Sequence, residues 1–114
     1  MSIQIERVIG STGPVAVTSD PATTGPVVLG TSAGGMLHCV STSTSSPITV
    51  SWYAQYAADS PTFKLFDATN VVVTNVIAPG SCYEIPAALF GAAQVRVVAE
   101  TAGQSAVVFF SLKG

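Results

Sequence analysis

Ile48-Thr49-Val50-Ser51-Trp52-Tyr53 places Ile48, Val50 and Trp52 on one side of an extended chain and Thr49, Ser51 and Tyr53 on the other. Successive side chains of a strand point to opposite faces, so this stretch reads as a strand with one dry and one wet face. The period of two recurs on both sides of it. Further strands are predicted at 2–9, 15–18, 27–29, 36–40, 62–66, 71–77, 82–85, 94–100 and 106–112, each rich in β-branched or aromatic residues. Turn chemistry separates them at fairly even intervals: Gly13-Pro14, Ser19-Asp20-Pro21, Thr24-Gly25-Pro26, Gly34-Gly35, Ser45-Ser46-Pro47, Asp59-Ser60-Pro61, Ala78-Pro79-Gly80 and Ala102-Gly103. Such spacing predicts an all-β, single-domain antiparallel β-sandwich or jelly roll over residues 1–114, with an N-terminal arm or edge strand at 1–13 and about eight to ten strands. One short helical turn is predicted at Pro86-Ala87-Ala88-Leu89-Phe90-Gly91, opened by Pro and stopped by Gly.

Some strands are apolar on both sides. Ala106, Val108, Phe110 and Leu112 line one side of the last strand, yet Val107 and Phe109 lie on the other. Val71-Val72-Val73 and Val95-Arg96-Val97-Val98 show the same two-sided character, with Arg96 placed opposite Val95 and Val97 as a solvent or edge charge. Either loops of the same chain fold over these strands, or one sheet face or edge meets another copy or a larger partner.

Composition narrows the partner. Charged residues make up 9% of the 114-residue chain, with four Lys and Arg against six Asp and Glu and a formal charge of −2; ordinary soluble proteins carry about 25%. The 13 Ser and 12 Thr supply the missing polarity. Four basic side chains cannot build the phosphate-neutralising face that nucleic acid requires. The longest apolar runs, Val71-Val72-Val73 and Val107-Val108-Phe109-Phe110, fall far short of the ~20 residues that span a bilayer, so no membrane partner is expected. Met1-Ser2-Ile3-Gln4-Ile5-Glu6-Arg7 alternates apolar with polar and shows no export signal. Cys39 and Cys82 are expected to be free and buried, with pairing across the sandwich as the alternative.

Catalytic motifs fail on context. Gly30-Thr31-Ser32-Ala33-Gly34 fits the G-x-S-x-G nucleophile elbow, but a strand rather than a helix follows Ser32, and no carboxylate lies between Ser32 and the single histidine, His38. A short Ser/Gly turn is the expectation. His38 and Cys39 are adjacent on a strand, so they point to opposite faces and do not converge on one ion or one nucleophile–base pair. Asp20, Asp59, Asp67, Glu6, Glu84 and Glu100 show no spacing that selects a glycosidase pair. Phosphate-cradling glycine motifs are missing from the sequence, and neither a cofactor nor a metal is expected. The chain reads as non-enzymatic. Trp52 reads as core, while Tyr53 and Tyr56 flank the loop at 54–60 and are candidates for stacking on a sugar ring or a protein surface.

Ser51-Trp52-Tyr53, Phe63-Lys64-Leu65-Phe66-Asp67, Gly80-Ser81-Cys82-Tyr83-Glu84-Ile85-Pro86, Leu89-Phe90-Gly91-Ala92 and Val95-Arg96-Val97-Val98, followed by the closing strand, carry a further signal. This pattern, a Tyr-x-Ile-Pro and Leu-Phe-Gly turn before two closing strands, resembles small capsid decoration, or cement, proteins of tailed bacteriophages. The resemblance implies a β domain made in the bacterial host cytoplasm that assembles as a homo-oligomer, often a trimer. It also implies a place on the outer surface of the virion head shell, where the domain binds the major capsid protein and stabilises contacts between capsomers. Candidate interface residues are Ile3, Ile5, Tyr53, Tyr56, Val107 and Phe109. An N-terminal strand carrying Ile3 and Ile5 suits addition to a neighbouring sheet edge. The alternative is a carbohydrate- or receptor-binding sandwich of a phage appendage, with a glycan held by Tyr53 and Tyr56.

Overall fold

The computed structural model describes residues 8–114. The predicted all-β sandwich is what forms: among the described residues, nine strands lie in two antiparallel sheets, with one 3₁₀ turn. The front sheet holds β1 (Val8–Val17), β9 (Ala106–Lys113), β3 (Gly34–Thr42) and β7 (Cys82–Glu84), in that order. The back sheet runs β2 (Val27–Val28), β8 (Gln94–Ala99), β4 (Ile48–Gln55), β5 (Phe63–Lys64), with β6 (Thr74–Ile77) also paired to β4.

Alternation decides which side of each strand is dry. From β4, Ile48, Val50 and Trp52 enter the core; from β8, Val95, Val97 and Ala99; from β9, Ala106, Val108, Phe110 and Leu112. Trp52 is fully buried, and its indole N–H donates to Asn75 Oδ1 at 2.8 Å, which satisfies the one polar atom that an indole brings inside. Leu89 of the 3₁₀ turn (Ala87–Gly91) closes the core beside Ile85.

β4 uses one edge for two partners. Ile48 to Ser51 pair with β6, while Tyr53 and Ala54 pair with β5. The excursion between β5 and β6 is held by Asp67, whose Oδ1 accepts from the backbone N–H groups of Thr69 and Val71 and from the Thr69 hydroxyl. Asn70 takes the left-handed conformation there, at φ 64°. Pairing is therefore limited to short segments, and the strands expected at 62–66 and 71–77 shrink to Phe63–Lys64 and Thr74–Ile77.

Two expected turns are not turns. Gly13 and Pro14 lie inside β1, as a bulge in which two residues oppose Phe109. Gly13 adopts φ 154°, and a Cβ there would sit 2.5 Å from Phe109 Cδ2, so only glycine lets the ring lie across the strand. Gly34 and Gly35 begin β3; a Cβ on Gly35 would meet the Ser111 carbonyl oxygen at 2.5 Å. Both sites are close approaches within the front sheet. The rest of the strand expected at 2–9, and the candidates Ile3 and Ile5, lie outside the described residues.

Candidate functional site

The two sheets treat their outer faces differently. On the back sheet, alternation turns Ser51 and Val98 outward, directly opposite one another, yet Val98 is only 3% exposed. Charged side chains gather around the same sheet: Lys64 Nζ lies 3.6 Å from Glu100 Oε2 and 5.7 Å from the centre of the Tyr53 ring. Arg96 is another. It was expected as a solvent or edge charge, but it is half-buried and acts as a clamp. Nε donates to Gln55 Oε1 at 2.9 Å, and Nη1 donates to the carbonyls of Pro21 at 3.0 Å and Thr24 at 2.7 Å. A planar guanidinium with a fixed fork of donors suits this task, tying the 18–26 loop to the sheet. Gln55 in turn donates to the Ser60 carbonyl, so the loop at 54–60 belongs to the same network.

On the front sheet, β9 sends Val107 and Phe109 outward at 37% and 38% exposure, beside exposed Val40, Pro14 and Ala16 and half-buried Met36. His38 stands between Phe109 and Cys82 in the cross-strand row. Charges keep to one end of this face: Glu84 on β7 and Lys113 at the end of β9. Val107 and Phe109 thus form an open apolar stripe, the arrangement that two-sided apolarity in 106–112 left undecided.

A second exposed cluster sits where β4 and β5 end. Tyr56 is 72% exposed and Phe63 53%, with ring centres 6.0 Å apart and planes at 37°, and exposed Phe66 and Val71 lie in the excursion that follows β5. Tyr53 does not join them: it is half-buried on the back sheet beneath Lys64. The candidate pair Tyr53 and Tyr56 is therefore replaced by Tyr56 and Phe63. Phe63 escaped the sequence reading because β5 spans two residues, too few for alternation to indicate a face.

The residues examined for chemistry are dispersed. Ser32 is buried in a turn closed by its N–H on the Leu29 carbonyl at 2.9 Å. The serine beside His38 is Ser111, whose Oγ lies 3.0 Å from Nε2. That distance suits a nucleophile and base, but among the described residues the ion pair found is Lys64 with Glu100, so no carboxylate orients the imidazole. Cys39 faces the core, where burial pushes its thiol up, away from the thiolate form. Cys82 is free and exposed, contrary to the expectation that both cysteines are buried: it faces outward opposite His38. The two sulfurs belong to opposite faces of the front sheet, which is why they do not pair. Among the described residues no three His, Cys, Asp or Glu side chains gather as a metal site. A cleft of about 400 Å³ opens between the start of β3, the end of β9 and the 3₁₀ turn, lined by Gly34, Met36, Glu84, Phe90 and Lys113 among others. It brings together one acid and one base, with no nucleophile beyond Ser111.

Compared with known proteins, the chain matches no family model, no curated protein and no solved structure.

Proposed function

We propose that this chain is a non-catalytic assembly module that docks on a protein shell through the outer face of its front sheet. This is the role implied by the resemblance to phage capsid decoration proteins. The observation that carries the reading is the contrast in cover at the sheet centres: the back sheet buries Val98 and leaves exposed apolar residues, Val28, Phe63 and Val76, only on its short edge strands, whereas the inner strand β9 of the front sheet leaves Val107 and Phe109 open to solvent. Interface centres are depleted in charge and rich in aromatic residues, and this stripe has both properties. A shell offers many symmetric sites, so modest contacts per copy add to high avidity.

The test is co-sedimentation of the purified chain with head shells assembled from a tailed-phage major capsid protein. Saturable binding that survives ~1 M salt, where the Debye length is about 3 Å, and that Phe109→Asp abolishes, supports docking through this face. Binding unaffected by Phe109→Asp, or none, removes it.

Tyr56 and Phe63 favour a second reading, a glycan platform at the β4–β5 end. Their tilted, exposed rings offer apolar faces to the C–H side of a sugar. Glycan-array binding that Tyr56→Ala and Phe63→Ala abolish, with the fold retained, supports it; an array without signal removes it.

A further inference from the structure

We propose that two copies of this chain join edge to edge through β1, in antiparallel register about a two-fold axis near Ser11, making one eight-stranded front sheet. The inference rests on backbone geometry and does not depend on what meets the outer face.

β1 is the edge of the front sheet, and its ten residues carry no charge. Uncharged edges are templates for another strand, which natural proteins usually blunt with charges, Pro, bulges or short length; in β1 the bulge at Gly13 and Pro14 blunts the second half and leaves residues 10–12 without such a device. The other edges here are shorter. β7 spans three residues and meets Pro86 two positions on; β6 spans four and meets Pro79 two positions on; β2 and β5 span two residues each, with Pro26 and Pro61 close before them.

Hydrogen-bond parity shows which part of β1 is open. In an antiparallel ladder, residues alternate between bonding their partner and pointing both backbone groups away. The Ala16 carbonyl points away from β9, since it accepts from Gly25 N–H at 3.1 Å. Ala16 pairs with Val107, so on β9 the odd positions turn their backbone groups toward β3. The far side of β3 agrees: Cys39 donates to Ser81, and Ile85 donates to the Gly35 carbonyl, which places Cys39 and Gly35 out of phase with His38 and Met36. Ser11 pairs with Ser111, another odd position. Its N–H and C=O therefore point out of the sheet, and among the described residues no strand lies on that side. The 18–26 loop closes the edge at Ala16, so the open stretch is the half of β1 before the bulge.

A second copy fits this edge better than a foreign strand. Around a two-fold axis at Ser11, each copy's N–H donates to the other's C=O, so the surface complements itself. An uncharged segment brings no like-charge repulsion to its own duplicate. The same pairing continues the Phe109 and Val107 stripes of both copies across one sheet.

Light scattering and sedimentation equilibrium on the full chain test this directly. The expected mass is that of two chains at tens of micromolar. Ser11→Pro removes only the outward N–H, which costs β1–β9 pairing nothing, and should weaken the dimer about tenfold to hundredfold, because symmetry deletes two hydrogen bonds. Amide exchange gives a second readout: Ser11 N–H should gain protection as concentration rises. Should Ser11→Pro fail to fold, Ser11→Cys in a Cys82→Ser background replaces it, with rapid disulfide dimers expected under mild oxidation and none from Thr74→Cys in the same background. A mass of one chain at ~1 mM, a mass of three, a dimer unmoved by Ser11→Pro, or a dimer that Ser11→Cys fails to cross-link overturns the proposal.

Discussion

The outer face of the back sheet and the outer face of the front sheet start from similar material and end differently. Each has an outward valine on an inner strand, Val98 opposite Ser51 on one and Val107 near Phe109 on the other. The back sheet receives a clamped loop, an ion pair and a cation over a ring; among the described residues the front sheet receives none of these. The exposed apolar residues of the back sheet, Val28, Phe63 and Val76, sit on its edge strands, so the contrast is one between sheet centres. Three of the ten charged residues, Lys64, Arg96 and Glu100, serve the back sheet alone.

The sharpest way to break this comparison is to make one change on both faces. Val98→Asp should destabilise by about 3 kcal/mol or more in urea melts, since it buries a carboxylate with no partner, whereas Val107→Asp should cost under about 1 kcal/mol. Equal costs would mean that Val107 is covered in solution. Next in size, Arg96→Ala leaves two loop carbonyls and Gln55 without their donor, and should cost about 2 kcal/mol while raising amide exchange in the 18–26 loop. Gly13→Ala should cost about 1–2 kcal/mol, because the ring of Phe109 must move off β1; the accompanying shift in Phe109 ring resonances sharpens the assignment of that stripe. Lys64→Met should change stability by less than about 0.5 kcal/mol, since the ion pair is a third exposed.

The smallest effect is expected at the excursion between β5 and β6. Hydrogen bonding from Thr69, then from Val71, holds the Asp67 carboxyl below the usual carboxylate range. A folded-state pKa below the unfolded one means support that is complete above the unfolded value and is lost as pH falls through the folded one. Exchange of the Thr69 and Val71 amides should quicken only in that acidic window; a loop unchanged there would show that Asp67 does not order it.

Much of the sandwich was legible because strands with one wet face announce themselves. Ile48 to Tyr53 fixed the orientation of Trp52, and the alternation in 106–112 placed Val107 and Phe109 on the outward side of their strand. What stayed hidden depends on partners far away in sequence. Nothing near Arg96 indicates that its acceptors lie 72 and 75 residues upstream. Gly13-Pro14 and Gly34-Gly35 carry turn chemistry, and only the arrival of Phe109 and Ser111 shows that these glycines clear space inside strands. Cys82 sits on a strand of three residues, where period two has nothing to count.

The order β1-β9-β3-β7 also governs when the molecule can fold. β9 lies between β1 and β3 and pairs Val8 with Lys113, so the front sheet cannot close while β9 is still inside the ribosome. Until then β1 and β3 wait with open edges, which places this chain among the slow, non-local folders. Nascent chains stalled before residue 106 should stay sensitive to protease and be good clients for chaperones.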